Sequence, residues 1–331
     1  MRMKAVTYRE YGSPEVLRVG DVPTPAPGED EVLVRVVASS VNDYDWHLLT
    51  GKPWLNRAPG FTRPANTVLG SDVAGRVEAV GSAVRRFSPG DAVIADMSPH
   101  GFGAFAEYVV APQAALSRKP EKLTFEQAAA LPQAGELAVM AGTRWHSIAP
   151  GDAVLINGAG GGTGTFAVQI AKAAGAHVTA VDAAWKLDTL SALGADRVID
   201  YRRDDFTRRG ETYDLIVDVA SHRSLRAYRR CLRPGGVCAI TGGALPRVFW
   251  AMAAGPLVSA VGDVRIGLPF WKPNDPAEMA VLARLVDQGS VAPVIDGVYP
   301  IDAISDAFRR FGAQQHTGKI VISVASDARD G

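Results

Sequence analysis

Over the first 120 residues the apolar positions fall in short runs rich in Val and Ala: KAVTYRE, EVLVRVVASSV, VAGRVEAV, DAVIAD and FAEYVVA. Gly/Pro turns such as APGED, SPGD and APQ separate them. Short strands punctuated by turn residues predict a compact, barrel-like all-β unit. Near Pro120 the period lengthens. The stretch PEKLTFEQAAALPQAGELAVMAGTRW has helical spacing and opens on Thr124, with Gln127 three residues later as in a capping box.

From Ala149 strand and helix alternate. AVLING leads through a glycine loop into the helix TFAVQIAKAAGA, and HVTAVD leads into KLDTLSALGA. The strands RVID, YDLIVDVA and GGVCAITGG follow. Units of this length predict a parallel, doubly wound sheet. After about Val291 the β texture returns in VIDGVYP and GKIVISV, with the helix IDAISDAFRRF between them. The chain therefore reads as an α/β protein of two domains. Residues 1–122 and 293–331 form a discontinuous β-rich domain, and residues 123–292 an inserted α/β domain.

A length of 331 residues suits two domains with a large core. The 35 Lys+Arg balance the 35 Asp+Glu, which argues against nucleic acid or an anionic membrane as partner. The opening MRMKAVTYREYGSPEV lacks the apolar run of a signal peptide. The greasiest stretch, Ala244 to Phe270, is interrupted by Pro246, Arg247, Gly255, Pro256, Gly262, Asp263, Arg265 and Pro269 and does not read as a membrane span. Cys231 and Cys238 are the only cysteines, which excludes a disulfide framework and a four-cysteine zinc site. Cys238, in VCAI, reads as a buried strand residue. A cytoplasmic protein fits.

The strongest local signal is Gly158-Ala159-Gly160-Gly161-Gly162-Thr163-Gly164, between an apolar strand and an amphipathic helix. Small residues let the backbone approach a pyrophosphate at the positive end of a helix. Gly164 is expected to permit close helix–strand packing. Asp182 ends the next strand, where a dinucleotide fold places an acid on the adenosine ribose.

With these motifs in order, the sequence resembles the medium-chain dehydrogenases/reductases, in particular their zinc-independent, quinone oxidoreductase-like branch. The marks are SVNDYDW (40–46), VLGSDVAGRVEAVGSAV (68–84), FSPGDAV (87–93), GAFAEYVV (103–110), GAGGGTG, LGADRVIDYRRDDF (193–206) and HTGKIVIS (316–323). The resemblance implies a GroES-like catalytic domain around a Rossmann domain. Zinc alcohol dehydrogenases hold their metal with a Cys, a Gly-His-Glu triplet and a second Cys. Here the first position is Asn42, the triplet reads Gly70-Ser71-Asp72, and the second Cys falls near Ala134 or Gly135. One carboxylate is too little for zinc, and without a Lewis acid alcohol oxidation is disfavoured. The implied activity is hydride delivery from a reduced nicotinamide to a quinone or an α,β-unsaturated carbonyl.

The resemblance also implies roles. Asn42 would hydrogen-bond near the nicotinamide ribose or the substrate carbonyl, while Asp45 orients the loop. Tyr44 and His47 stand where the zinc enzymes relay protons. Gly242 and Gly243, after Thr241, approach the nicotinamide amide, and Lys319 joins the cofactor-binding set. Trp54, Phe270 and Trp271 are candidate walls for a bulky hydrophobic substrate, with Phe249 and Trp250 beside them in a cover or dimer-contact insertion. The branch's usual threonine is absent from Ala134-Gly135-Glu136-Leu137-Ala138, and the enoyl reductases' tyrosine from Gly51-Lys52-Pro53-Trp54.

On the cofactor two signals oppose. Asp182 favours NADH, because a carboxylate about 4 Å from a phosphate charge costs roughly 4 kcal/mol at an effective dielectric near 20. Lys186 and Tyr201, followed by Arg202 and Arg203, favour NADPH, which is the expectation here. A homodimer through the Gly235 to Ile266 region is implied by the resemblance. Two other readings stand beside the reductase: a zinc-free carbonyl or alcohol dehydrogenase using Tyr44 and His47, and a nicotinamide-binding scaffold with little turnover.

Overall fold

The computed structural model describes residues 1–57, 60–260 and 263–325; Gly262, one of the expected interruptions, lies outside them. In chain order the elements begin with strands β1 (Arg2–Thr7), β2 (Arg18–Pro23) and β3 (Glu31–Ser40), then helix α1 (Asp43–Thr50). Strands β4 (Asp72–Val80), β5 (Ala92–Asp96), β6 (Tyr108–Pro112) and β7 (Ser117–Arg118) follow, then helices α2 (Phe125–Ala129) and α3 (Pro132–Thr143). The chain clusters into two compact units. One comprises Met1–Gln133, Pro273–Met279 and the segment from Ile295 onward; the other comprises Ala134–Lys272 and Ala280–Val294.

In the first unit β3 is the hub of a seven-stranded sheet. It pairs antiparallel with β4 along most of its length, with β6 beside Glu31–Arg35, and with β15 (Lys319–Ser323) beside Ala38–Ser40. Val32, Val34 and Val36 point into one core with Val73, Val93 and Phe87, while Glu31 and Arg35 are only partly buried and Leu33 is buried as well. Past Val36, Val37 to Val41 are all buried. Both faces are covered there, so Ser39 and Ser40 must find partners inside the protein. A second core gathers Val6, Tyr8, Leu49, Leu69, Phe105 and Phe308. Phe105 and Phe308 meet edge to face at 5.8 Å between ring centroids.

The capping box at Thr124 forms: its hydroxyl accepts from Gln127 N at 3.2 Å, and Gln127 Oε1 accepts from Thr124 N at 3.0 Å. The stretch of helical spacing that follows it holds two helices. Pro132 has no N–H for the preceding turn, so α2 stops and Pro132 starts α3.

The second unit is built from β8 (Ala153–Asn157), α4 (Gly162–Ala173), β9 (His177–Asp182), α5 (Leu187–Ala192), β10 (Arg197–Asp200), β11 (Tyr213–Asp218), α6 (Leu225–Arg230) and β12 (Leu232–Ile240). Helix α7 (Leu245–Ala260) and strand β13 (Val264–Gly267) complete its sheet. The order β10-β9-β8-β11-β12-β13 is parallel throughout. It reverses direction between β8 and β11, the point where doubly wound sheets bind ligands. Cys238 is fully buried on β12, as its apolar setting predicts. The edge strand β13 was not legible in the sequence, because four residues are too few for a period to be read. The elements α8 (Pro276–Asp287), β14 (Ile295–Pro300) and α9 (Ile304–Gly312) precede β15. Among the described residues no helix is long and apolar enough to cross a membrane.

Phe308 is fully buried against Phe105. Replacing it with Ala leaves an aromatic-sized void and is expected to cost about 3–5 kcal/mol, read as a lowered urea midpoint.

Candidate functional site

Two clusters of buried polar chemistry stand out, one in each unit. In the second unit the glycine loop is clamped onto the end of β9. Gly158 N and Ala159 N both donate to Val181 O, at 3.0 and 3.1 Å. Gly160 N donates to Asp182 Oδ2 at 2.7 Å, and Ala183 N to Asp182 Oδ1 at 2.8 Å. The Lys186 ammonium lies 3.6 Å from Asp182 Oδ1 and 3.4 Å from Gly160 O. A Cβ on Gly160 would stand 2.4 Å from the Lys186 stem, and one on Gly164 2.2 Å from Gly158 O. The tight contact at Gly164 is therefore with the loop backbone rather than with a strand, because the helix starts directly above the turn at Gly158.

Past that turn, Gly162, Thr163 and Gly164 begin α4, and first-turn N–H groups have no acceptor within a helix. A glycine-rich cradle at a helix N-terminus, with only Ala159 and Thr163 among its glycines, fits a dinucleotide pyrophosphate. Tyr201 N donates to Asp182 O at 3.1 Å, which brings Tyr201 beside the same strand end. Arg202 lies over the Tyr201 ring, 5.6 Å from its centroid. At the switch between β8 and β11, Asn157 Nδ2 donates to Asp218 Oδ1 at 2.7 Å, both groups buried. Burial pushes the Asp218 carboxyl up from its usual range. Gly242 O accepts from Ser221 N at 3.2 Å, which ties the loop after β12 to the end of β11.

The first unit holds the other cluster, where β3 ends and α1 begins. Asn42 Nδ2 donates to Asp72 Oδ2 at 2.8 Å and to Ser71 Oγ at 2.9 Å. Ser40 Oγ donates to Asp72 Oδ2 at 2.7 Å. The Lys319 ammonium donates to Asn42 Oδ1 and, at 3.2 Å, to Asp72 Oδ2. Gln133 N donates to Asp72 Oδ1 at 3.1 Å, while Gln133 Nε2 reaches Asp96 Oδ2 at 3.0 Å. Asp45, third residue of α1, accepts from Asn42 N at 3.0 Å, Gly70 N at 3.0 Å and Ser71 Oγ at 2.8 Å. Gly70 has φ +108, and a Cβ there would meet Phe105 N at 2.3 Å, so the residue before Ser71 must be glycine. Burial lifts Asp45 to about 7, even against these donors. Burial, then the charge of Asp72, lifts Asp96 to about 6.

By the sequence resemblance, Asn42, Ser71 and Asp72 stand where the alcohol dehydrogenases hold zinc. Their donor set does not suit the metal. An amide, a hydroxyl and one carboxylate meet there, and an ammonium already neutralises the carboxylate. Among the described residues no three His, Cys, Asp or Glu side chains gather as a metal needs.

The remaining candidates spread out. Tyr44 is 47% exposed on the first turn of α1, and burial, then the Asp96 charge, raises its phenol. His47 is one turn on, with Nδ1 2.9 Å from Lys52 O. Trp54 is 65% exposed and stacks on Phe61 at 6.5 Å. In the second unit Phe270 is 76% exposed and Trp271 half-buried; Phe249 and Trp250 are exposed on α7 and so are not core residues. Sequence reasoning missed Asn157, Asp218, Asp96 and Gln133. The available signal was an acid closing an apolar strand, as in DAVIAD and YDLIVD.

Two family models match the chain, an alcohol dehydrogenase GroES-like domain over residues 28–121 and a zinc-binding dehydrogenase over 193–322. The chain is 32% identical to a chloroplast envelope quinone oxidoreductase homolog of Arabidopsis thaliana, over 97% of this chain and 98% of that protein. It is 33% identical to an NADPH-dependent alkenal/one oxidoreductase of the same plant, over 97% and 79%. The quinone oxidoreductase structure from Coxiella burnetii superposes with a TM-score of 0.87 at 27% identity, covering 98% of this chain and all of that one.

Gly164→Ala forces a methyl onto backbone that cannot withdraw and is expected to cost about 1–3 kcal/mol in thermal unfolding. The raised acids set a pH dependence. Asp45 and Asp96 bind their protons more tightly folded than unfolded, so their contribution to stability is lost as pH rises from about 4 towards 7. Melting temperatures across that range are expected to fall less steeply in Asp45→Asn, which has no proton to lose.

Proposed function

The chain belongs to the quinone oxidoreductase-like medium-chain dehydrogenases/reductases, and from that membership we propose that it is an NAD(P)H-dependent reductase of quinones or α,β-unsaturated carbonyls. The observation that carries this reading is the glycine loop, clamped through Gly160 to Asp182 and open to an anion at the start of α4. Relatives named for quinone and alkenal/one reduction support the substrate class.

The bound nicotinamide supplies the hydride; the protein supplies position and a proton. Gly158 to Gly164 hold the pyrophosphate, with Gly242 and Gly243 assigned to the nicotinamide amide. Tyr44 holds a proton on its phenol at neutral pH, since burial and Asp96 both raise it, and it is the assigned donor to the reduced substrate. With His47 Nδ1 bonded to Lys52 O, Nε2 is the nitrogen left for proton exchange. Trp54, Phe270 and Trp271 are assigned to a hydrophobic substrate. The chemistry is read as zinc-independent, on the donor set at Asn42, Ser71 and Asp72.

NADPH is the proposed cofactor. Asp182 does not face a 2′-phosphate as a bare charge: two N–H groups and the Lys186 ammonium already answer it. Tyr201 and Arg202 stand at the same strand end. A homodimer is proposed through β13, an edge strand whose neighbour α7 carries exposed Phe249, Trp250 and Leu257. The free, buried Cys231 and Cys238 suit a reducing, cytoplasmic setting.

Steady-state oxidation of NADPH and NADH against a panel of quinones, enones and alcohols tests the assignment. Quinones or enones are expected to turn over with a higher kcat/KM for NADPH; alcohol oxidation alone, or saturable binding without turnover, refutes it. Arg202→Ala is expected to lower kcat/KM for NADPH about tenfold and leave NADH unchanged, the loss of one charge-assisted contact to phosphate.

A further inference from the structure

Helix α7 is apolar on both its faces. Val248, Ala251, Ala254 and Val258 pack into the core of the second unit, together with Leu225 and Tyr228 of α6. The opposite arc exposes Phe249, Trp250, Met252, Ala253, Pro256 and Leu257, with Leu257 as much as 70% exposed. Arg247, in the first turn, is the only charged residue of the helix, and the Ser259 hydroxyl is spent on Gly255 O and Ile266 N. A helix apolar all round belongs inside a protein or against lipid, and so continuous a patch is seldom left to water. With 16 residues it runs about 24 Å, short of the roughly 30 Å hydrocarbon core of a bilayer. It can lie in a membrane surface and cannot cross one.

Beside this arc the charge is one-sided. Strands β11, β12 and β13 follow one another across the sheet, so right-handed crossovers put α6 and α7 on the same face. From residue 219 to residue 262 the sequence has six arginines and no acidic residue. Arg223 pairs with Asp205 at 3.1 Å and Arg233 with Asp214 at 2.6 Å. Arg226, Arg229 and Arg230 are exposed on α6 and pair with no carboxylate among the described residues. The chain's balance of 35 basic and 35 acidic residues, which argued against an anionic membrane, therefore does not describe this face.

We propose that the outer surface of α6 and α7 docks on an anionic lipid bilayer. Helix α7 lies in the headgroup plane with Phe249, Trp250 and Leu257 among the acyl chains, and the α6 arginines meet lipid phosphates and carboxylates. Lipid fits better than a protein partner, because the arc offers no hydrogen-bonding group and protein interfaces carry such groups throughout their rim. It also fits better than a second copy of the chain. A dimer paired along β13 uses backbone groups in the plane of the sheet, and α7 lies above that plane. Docking is independent of the reductase reading, since vesicle binding is measured without turnover.

Co-sedimentation of the full chain with vesicles tests the proposal, using phosphatidylcholine alone and phosphatidylcholine mixed with phosphatidylserine. Binding to the mixed vesicles is expected, weakening as salt is raised. Arg226→Gln/Arg229→Gln/Arg230→Gln is expected to reduce it about 100-fold, roughly fivefold for each arginine. Phe249→Gln/Leu257→Gln is expected to reduce it at least tenfold. All five positions are exposed, so both variants are expected to keep the parent's melting temperature. Trp250→Phe keeps the arc apolar and gives a second reading in a protein that binds. It is expected to lose much of the quenching of tryptophan emission that brominated acyl chains cause in the parent. No binding to the mixed vesicles at low salt overturns the proposal, as does binding that survives both sets of changes. Quenching unaltered in Trp250→Phe overturns the placement of α7. A parent that ignores vesicles, and is a dimer that dissociates in Phe249→Gln/Leu257→Gln, assigns the arc to a second copy and overturns lipid docking as well.

Discussion

Keeping carboxylates ionisable inside a packed protein is the constraint around which the first unit is arranged. Asp45, Asp72 and Asp96 are fully buried within one network. An unpaired buried charge costs several kcal/mol, so each oxygen must be met by a donor. The fold provides these from separate stretches of chain: Ser40 at the end of β3, the first turn of α1, Ser71 before β4, Gln133 in α3 and Lys319 opening β15. The convergence on β3 follows from this. A strand that carries β4, β6 and β15 brings distant segments to one point, and its last residues are buried on both faces where the acids need partners.

The second unit meets a related demand with backbone. Its loop is nearly all glycine, and main-chain N–H groups at Gly158, Ala159 and Gly160 fasten it to Val181 and Asp182. What remains at the start of α4 is a set of donors with no internal use. The two units thus divide the labour, one fixing a side-chain amide by ion pairing and the other presenting peptide groups to an anion.

Much of this was legible in the sequence where the signal is local. Thr124 with Gln127, the strand–glycine–helix succession at Ala153 to Ala173, and the apolar run around Cys238 each depend on neighbours a few residues away. Pro132 was legible as a residue but not as the start of a second helix, since helical spacing continues across it. The short β13 lacked a period to detect. The buried networks escaped for a different reason: Gln133 meets Asp96, and Lys319 meets Asn42, across long stretches of chain, and only tertiary structure brings them together. Lys319 was visible within a family motif, yet its partners were not.

The clamp between Gly160 and Asp182 limits how the protein can be re-engineered. The aspartate is a tempting position for switching coenzyme, since its charge is what a second phosphate would feel. Both of its oxygens are spent holding the loop and the chain after β9 in place. Exchange for a small neutral residue would release the very turn that seats either dinucleotide. Designers seeking a new nucleotide preference are better served by the solvent-facing stack of Tyr201 and Arg202, which supports nothing beneath it in the loop.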